Sequence, residues 1–171
     1  MIYRASKLIN WSCTLNTAIS NNEVDKKEIK AFEKIIVPGY SKPIEFGVLV
    51  NFAYKIKNSD EEIIVSTTRL ETMLGDVAVA VNSKDERYKH LVGKKIIHPF
   101  VDRELDIIAD DILVDMSFGT GAVKITPAHD PNDFECGKRN NLKFINILND
   151  DGTMNQNCGK YSGMKRYDVR E

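Results

Sequence analysis

Residues 115–133, DMSFGTGAVKITPAHDPND, run from a glycine turn into a short strand and then into the start of a helix. Gly119-Thr120-Gly121 makes a tight turn, because glycine reaches backbone conformations closed to other residues. Ala122 to Thr126 alternates like a strand, and Pro127 ends it. Asp130-Pro131 then opens a helix, with an aspartate N-cap and proline at the first helical position, running to about Asn140. A glycine turn ahead of Lys124 raises the question of a phosphate loop. Such a loop needs GxxxxGK[ST], and a dinucleotide fingerprint needs a third glycine opening a helix. Here a strand follows the glycines, so a tight turn allowing close backbone approach is the favoured reading.

Upstream, Phe46 to Lys57 reads as a strand with Val48, Val50, Phe52, Tyr54 and Ile56 on one face. Asn58-Ser59-Asp60 is a turn and Glu62 to Thr68 the returning strand, together a hairpin. Thr68 to Gly75 breaks the alternation as a single helical turn, and Val77 to Val81 is an apolar run suited to a buried strand. Ser83, with Glu86 at capping-box distance, predicts a helix through Leu91 stopped at Gly93. Lys95–His98, Glu104–Ala109 and Ile112–Val114 are short strand-like runs, and their close spacing predicts a barrel or strongly bent sheet. Trp11–Ile19 is an extended segment and Asp25–Lys34 a charged helix or loop. Phe144–Leu148 is again strand-like, Asn149–Gly152 a turn, and Lys165–Glu171 helical. The fold class is therefore α+β: mixed, strand-rich and undivided by any linker or repeat.

With 171 residues, 42% of them hydrophobic and 29% charged, the chain can bury a core of ordinary size. A net charge of −1 advertises no broad nucleic-acid surface, so any RNA contact must be local. Cys13, Cys136 and Cys158 form no CxxC pair and do not cluster with His90, His98 or His129, so reduced thiols of a cytoplasmic chain are expected. No run reaches the roughly 18 apolar residues of a membrane span, and Met1 to Asn10 has no signal-peptide pattern.

Two polar concentrations stand out. Asp130 and Asp133, three apart at a helix start, can share one side of the first turn; capping alone explains only one of them. Thr67-Thr68-Arg69-Leu70-Glu71-Thr72, between two apolar runs, suits recognition of a carboxylate, phosphate or ribose, or is an ordinary surface turn with an Arg69–Glu71 contact. Ser117, His129 and Asp130 form a triad on paper only, since no GxSxG elbow accompanies them.

These segments carry a family resemblance. TTRLETMLGD (67–76) and DMSFGTGAVKITPAHDPND (115–133) resemble the signature blocks of the valyl-tRNA synthetase editing domain. So do NWSCTLN (10–16), DERY (85–88) and FINILNDDGTM (144–154), so that the likeness reaches nearly end to end and is weakest between about Val24 and Ile64. The isoleucine and leucine enzymes share the fold and an aspartate like Asp130, but the TTRxETM form is similar to the valine branch. Leu70, where many bacterial members carry proline, resembles the eukaryotic type.

The resemblance implies a distorted β-barrel with short flanking helices. It implies a single editing domain over 1–171, excised from a larger synthetase, with 1–20 and 160–171 connecting to the catalytic domain. HIGH-like and KMSKS-like segments are absent, so no aminoacylation is expected of this piece. The implied activity is hydrolysis of threonine mis-esterified to valine tRNA; the alternative is an acceptor-end binding module with little activity in isolation. Valine and threonine are nearly isosteric, and valyl enzymes are themselves the standard instance of a hydrophobic pocket failing to reject an added hydroxyl. A second pocket must recognise that hydroxyl positively, leaving its own polar groups unpaired against valine at a cost of roughly 1–3 kcal/mol. By resemblance, Asp130 holds the α-ammonium, and Asp133 with Lys124 and Thr126 selects the hydroxyl. Arg69 and Thr72 line the pocket, and Phe118 offers an apolar wall or adenine surface. Asp130, Lys124 and Thr126 are thus the catalytic candidates, acting on a positioned water. No metal or cofactor is implied for editing, ATP serving only the parent's catalytic domain. The implied partners are the threonine-bearing 3′ end of valine tRNA and the rest of the parent, with the isolated piece monomeric.

Overall fold

The computed structural model describes residues 2–170; Met1 and Glu171, the ends of the expected 1–171 domain, lie outside it. Its strands are β1 (Asn10–Ser12), β2 (Thr17–Ile19), β3 (Glu33–Ile35), β4 (Ile44–Phe46), β5 (Val50–Ile56), β6 (Glu62–Thr67), β7 (Ala78–Val81), β8 (Lys95–Ile97), β9 (Glu104–Ala109) and β10 (Ala122–Ile125). One α-helix among the described residues, α1, spans Pro131–Arg139. The rest is turns and short 3₁₀ segments, including Leu70–Gly75.

The main sheet has six strands in the order β10-β7-β9-β8-β5-β6. All neighbours are antiparallel except β7 and β9. Its edge strands β6 and β10 lie against each other without a ladder, so the sheet curls into a nearly closed barrel. Strand alternation fills the interior: Tyr54 and Ile56, Ile63 and Val65, Val79 and Val81, and Leu105 and Ile107 share one core. Ala78 and Ala80 on the opposite face of β7 join Ile125, Val114 and Cys136 beneath α1. The small alanines let the helix sit close, and so does Gly137, where an added Cβ would stand 2.9 Å from the ring of Pro127. A third cluster, Leu74, Ile147, Met154 and Cys158, seals the bottom of the 70–75 turn. Cys136 and Cys158 are buried, while Cys13 is exposed at the tip of the β1–β2 hairpin.

The predicted buried strand and N-capped helix form where the pattern places them. The predicted hairpin forms too, but its first strand begins at Val50 rather than Phe46, after Gly47 turns the chain at φ +73° and leaves Val48 outside. Trp11–Ile19 folds back on itself as the β1–β2 pair rather than running as one extended segment. Four further expectations fail. Ser83 caps no helix through Leu91, because its amide and hydroxyl both go to Asp111, at 2.6 and 2.7 Å; only Lys89–Leu91 turns helically. Ile112–Val114 is not a strand, since the Asp110 carboxylate takes the amides of Ile112 and Leu113. Phe144–Leu148 makes no ladder beyond a single bridge between Leu148 and Met154. Of the expected helix over Lys165–Glu171, the described residues turn helically only over Asp168–Arg170, and Glu171 lies outside them. That last turn is clasped instead by side chains: Arg170 meets the buried Glu71 carboxylate at 2.8 Å and packs over Phe46 and Tyr167.

Candidate functional site

Lys124 and Thr126 project from the same face of β10 and its continuation, as strand alternation requires, and both are buried. Lys124 Nζ lies 3.0 Å from Thr72 Oγ1 and 3.1 Å from Asp76 Oδ1, and it also hydrogen-bonds Thr126 Oγ1. Thr126 Oγ1 is 2.8 Å from the same Asp76 oxygen. The other Asp76 oxygen accepts the hydroxyl of Tyr54. Burial, reinforced by the Asp76 charge, holds that phenol well above its ordinary range, so it stays a donor. Asp76 is 0% exposed.

Thr72 belongs to the 70–75 turn, and its hydroxyl donates to the Arg69 carbonyl at 2.9 Å. Arg69 reaches across to the His129 carbonyl at 2.7 Å and stays half exposed. On the other side, Asp130 Oδ1 caps α1 by accepting from the Asn132 and Asp133 amides at 2.8 and 3.2 Å. Asp133 Oδ2 accepts the Thr126 amide at 2.8 Å. Burial pushes its carboxyl up to about 6, against the lowering influence of the Thr126 amide and the Lys124 charge. The second oxygen, Oδ1, has no hydrogen-bond partner among the described residues and is not sealed from solvent.

The structure thus brings Thr72, Lys124, Thr126 and Asp133 into one hydrogen-bonded cluster, with Arg69 and Asp130 on its borders. Phe118 stands outside it, 74% exposed on the 115–121 loop. The glycine turn is closed by protein groups. Gly121, at φ +78°, leaves room for Arg87, whose Nη2 would lie 2.4 Å from an added Cβ. Arg87 is held by Asp85 at 2.6 and 2.9 Å, and Tyr88 donates to the Thr120 carbonyl at 2.9 Å.

The paper triad is not assembled. Ser117 donates to Asp115 at 2.6 Å, and the His129 Nε2 accepts the Ile147 amide at 3.1 Å. Burial first, then Arg69, Lys124 and Arg166, push that imidazole down to about 4, so it is neutral at physiological pH. A cleft of about 820 Å³ opens beside the cluster, with Arg69, His129, Phe134, Phe144 and Arg166 in its wall. Among the described residues no group of acidic, histidine and cysteine side chains could hold a metal.

Sequence reading left out two members of the cluster. Asp76 closes the TTRLETMLGD block, immediately before an apolar strand, and a lone carboxylate in that position was the available signal. Tyr54 carries none, because on β5 it alternates like any core aromatic.

The chain is similar to known proteins over its whole length. Residues 81–166 match the family model described as leucyl-tRNA synthetase, editing domain. Over 170 residues it is 64% identical to a valine–tRNA ligase of Caenorhabditis elegans, covering 99% of this chain and 16% of that protein. The Schizosaccharomyces pombe valine–tRNA ligase is 58% identical over 170 residues, covering 99% and 17%. The human valine–tRNA ligase is 56% identical over 173 residues, covering 100% and 14%. The chain therefore spans well under a fifth of the length of these relatives. Among solved structures, a leucyl enzyme of Agrobacterium radiobacter K84, crystallised as a ternary complex with tRNA and LeuAMS, aligns at a TM-score of 0.50. That alignment has 18% identity and covers 57% of this chain and 16% of that one, a likeness of fold alone.

Proposed function

Since the chain belongs to the aminoacyl-tRNA synthetase editing-domain family, on its valyl branch, we propose that it hydrolyses threonine esterified to the 3′ end of valine tRNA. The observation that carries this reading is the buried Thr72–Lys124–Thr126–Asp133 cluster beside the N-terminus of α1. Valine offers such polar groups nothing in return for the water they give up, whereas threonine offers a hydroxyl.

Three handles of the substrate meet three parts of the site. Asp130, at the border of the cluster, takes the α-ammonium through its uncommitted oxygen. Asp133, with Thr126 and Lys124 behind it, takes the threonine hydroxyl. Arg69 and Thr72 line the side toward the ribose, and Phe118 supplies an apolar surface from the neighbouring loop. The adjacent ammonium activates the aminoacyl ester, so a positioned water suffices for attack, and no covalent nucleophile, metal or cofactor enters the scheme. His129 is no general base here, since its Nε2 is taken by the Ile147 amide. The remainder of the parent synthetase and the tRNA acceptor end are the partners of this piece, and its place of work is the cytoplasm.

The test is deacylation of threonyl-tRNA and valyl-tRNA, both on valine tRNA, by the 171-residue chain. Faster release of threonine than of valine is the expected result. Equal rates, or none above buffer, refute selective hydrolysis; binding of the acceptor end without turnover points to a docking module instead.

A further inference from the structure

The cluster contains one ammonium and two carboxylates, and the ammonium is fully spent on one side. A lysine carries three donors and no acceptor. Those of Lys124 go to Thr72 Oγ1, Asp76 Oδ1 and Thr126 Oγ1. The hydroxyl protons have fixed directions too. Thr126 accepts from Lys124 and so donates to the Asp76 carboxylate, and Thr72 accepts from Lys124 and donates to the Arg69 carbonyl. Asp133 forms no ion pair among the described residues; only the Thr126 amide serves it, on one oxygen.

We propose that Asp76 is a positioning residue for specificity: by holding Lys124 away from Asp133, it leaves Asp133 Oδ1 as a free acceptor and makes the pocket a reader of hydrogen-bond donors. The assignment rests on the editing reading above and deepens it. The threonine hydroxyl is recognised through its proton, not its lone pairs. Without the Asp76 charge, a buried ammonium pairs with the next carboxylate, because leaving it unpaired is costly. That carboxylate is Asp133, and the acceptor meant for substrate is then consumed inside the protein. Burial raises the Asp133 carboxyl, and the Lys124 charge, held on Asp76, offsets only part of that rise.

The experiment measures binding of non-hydrolysable 3′-amide adenosine conjugates to the wild-type chain at pH 8. The conjugates carry threonyl, valyl or 2-amino-3-fluorobutyryl groups; fluorine nearly matches the hydroxyl in size but donates no hydrogen bond. The threonyl conjugate is expected to bind about tenfold or more tightly than both others. A fluoro conjugate that binds like the threonyl one overturns the donor-reading pocket while leaving the editing reading intact. Equal binding of threonyl and valyl conjugates overturns the editing reading, and this inference with it. In Asp76→Asn the threonyl advantage is expected to fall to about threefold or less, with valyl affinity unchanged, a pattern that general loosening does not produce. An undiminished advantage removes Asp76 from the role. If that variant does not fold, the wild-type comparison still tests the donor-reading pocket, without which Asp76 has no such role.

Discussion

Replacing Asp133 by asparagine is expected to make the protein more stable at pH 8. The carboxyl is pushed by burial from 3.8 to about 6 in the folded chain. At about 1.36 kcal/mol per pH unit, the ionised group costs the fold about 3 kcal/mol above pH 6. The sign follows from proton uptake. Between 3.8 and about 6 the folded state holds a proton that the unfolded state has released, so stability falls as pH rises through that window. Above it the full cost is present. Asparagine keeps an oxygen for the Thr126 amide and places its NH₂ at the unsealed side, so the variant removes the charge and retains the bond. For a chain of this size the gain corresponds to roughly 6–12 °C in midpoint. Thermal unfolding of both proteins at pH 8 and pH 5 reads it. The gap is expected to narrow to about half at pH 5, where the wild-type group has taken up its proton. The charges around Asp133 are Lys124, Asp130 and Asp76, and none is altered by the substitution. A variant less stable than wild type at pH 8, or a gap indifferent to pH, refutes the reasoning. Selective deacylation is expected to be lost in the same variant, so that stability and function move in opposite directions.

His129 runs the opposite way: its depressed pKa means that stability is lost as pH falls from 6.5 toward about 4. His129→Gln, which keeps an acceptor for the Ile147 amide, is expected to lose less stability than wild type between pH 7 and pH 4.5, read from urea midpoints. Arg170→Ala leaves the Glu71 carboxylate buried without its 2.8 Å partner and is expected to cost about 3 kcal/mol in urea unfolding; adding Glu71→Gln should recover much of that loss. Gly121→Ala meets both a φ of +78° and the Arg87 guanidinium, and is expected to cost about 1–3 kcal/mol. An unchanged melting point in either Arg170→Ala or Gly121→Ala contradicts the packing described.

What was legible in the amino-acid sequence is what adjacent residues decide. The β5–β6 hairpin, the capped start of α1 and the shared face of Lys124 and Thr126 depend on alternation, turn residues and an N-cap, all local. What could not be read depends on distant side chains that capture backbone amides. Ser83 is diverted by Asp111, and Ile147 gives its amide to the His129 ring rather than to a neighbouring strand. The same distance hid Asp76. Its partners Tyr54, Lys124 and Thr126 come from β5 and from β10 with its continuation, brought together only when the barrel curls. The family blocks mark which segments matter, but they say nothing of which hydrogen bond runs in which direction.

The three cysteines have a practical corollary. Cys136 is buried, with its thiol pushed up to about 12 by burial and the neighbouring Asp110, and Cys158 is buried and raised as well. Thiolate is the reactive form, so neither competes for an alkylating reagent at neutral pH. Cys13 is exposed and lies in the wall of the 820 Å³ cleft that also contains Arg69 and His129. A maleimide fluorophore should therefore attach at that single position on the native sequence, and report occupancy of the cleft without a single engineered residue.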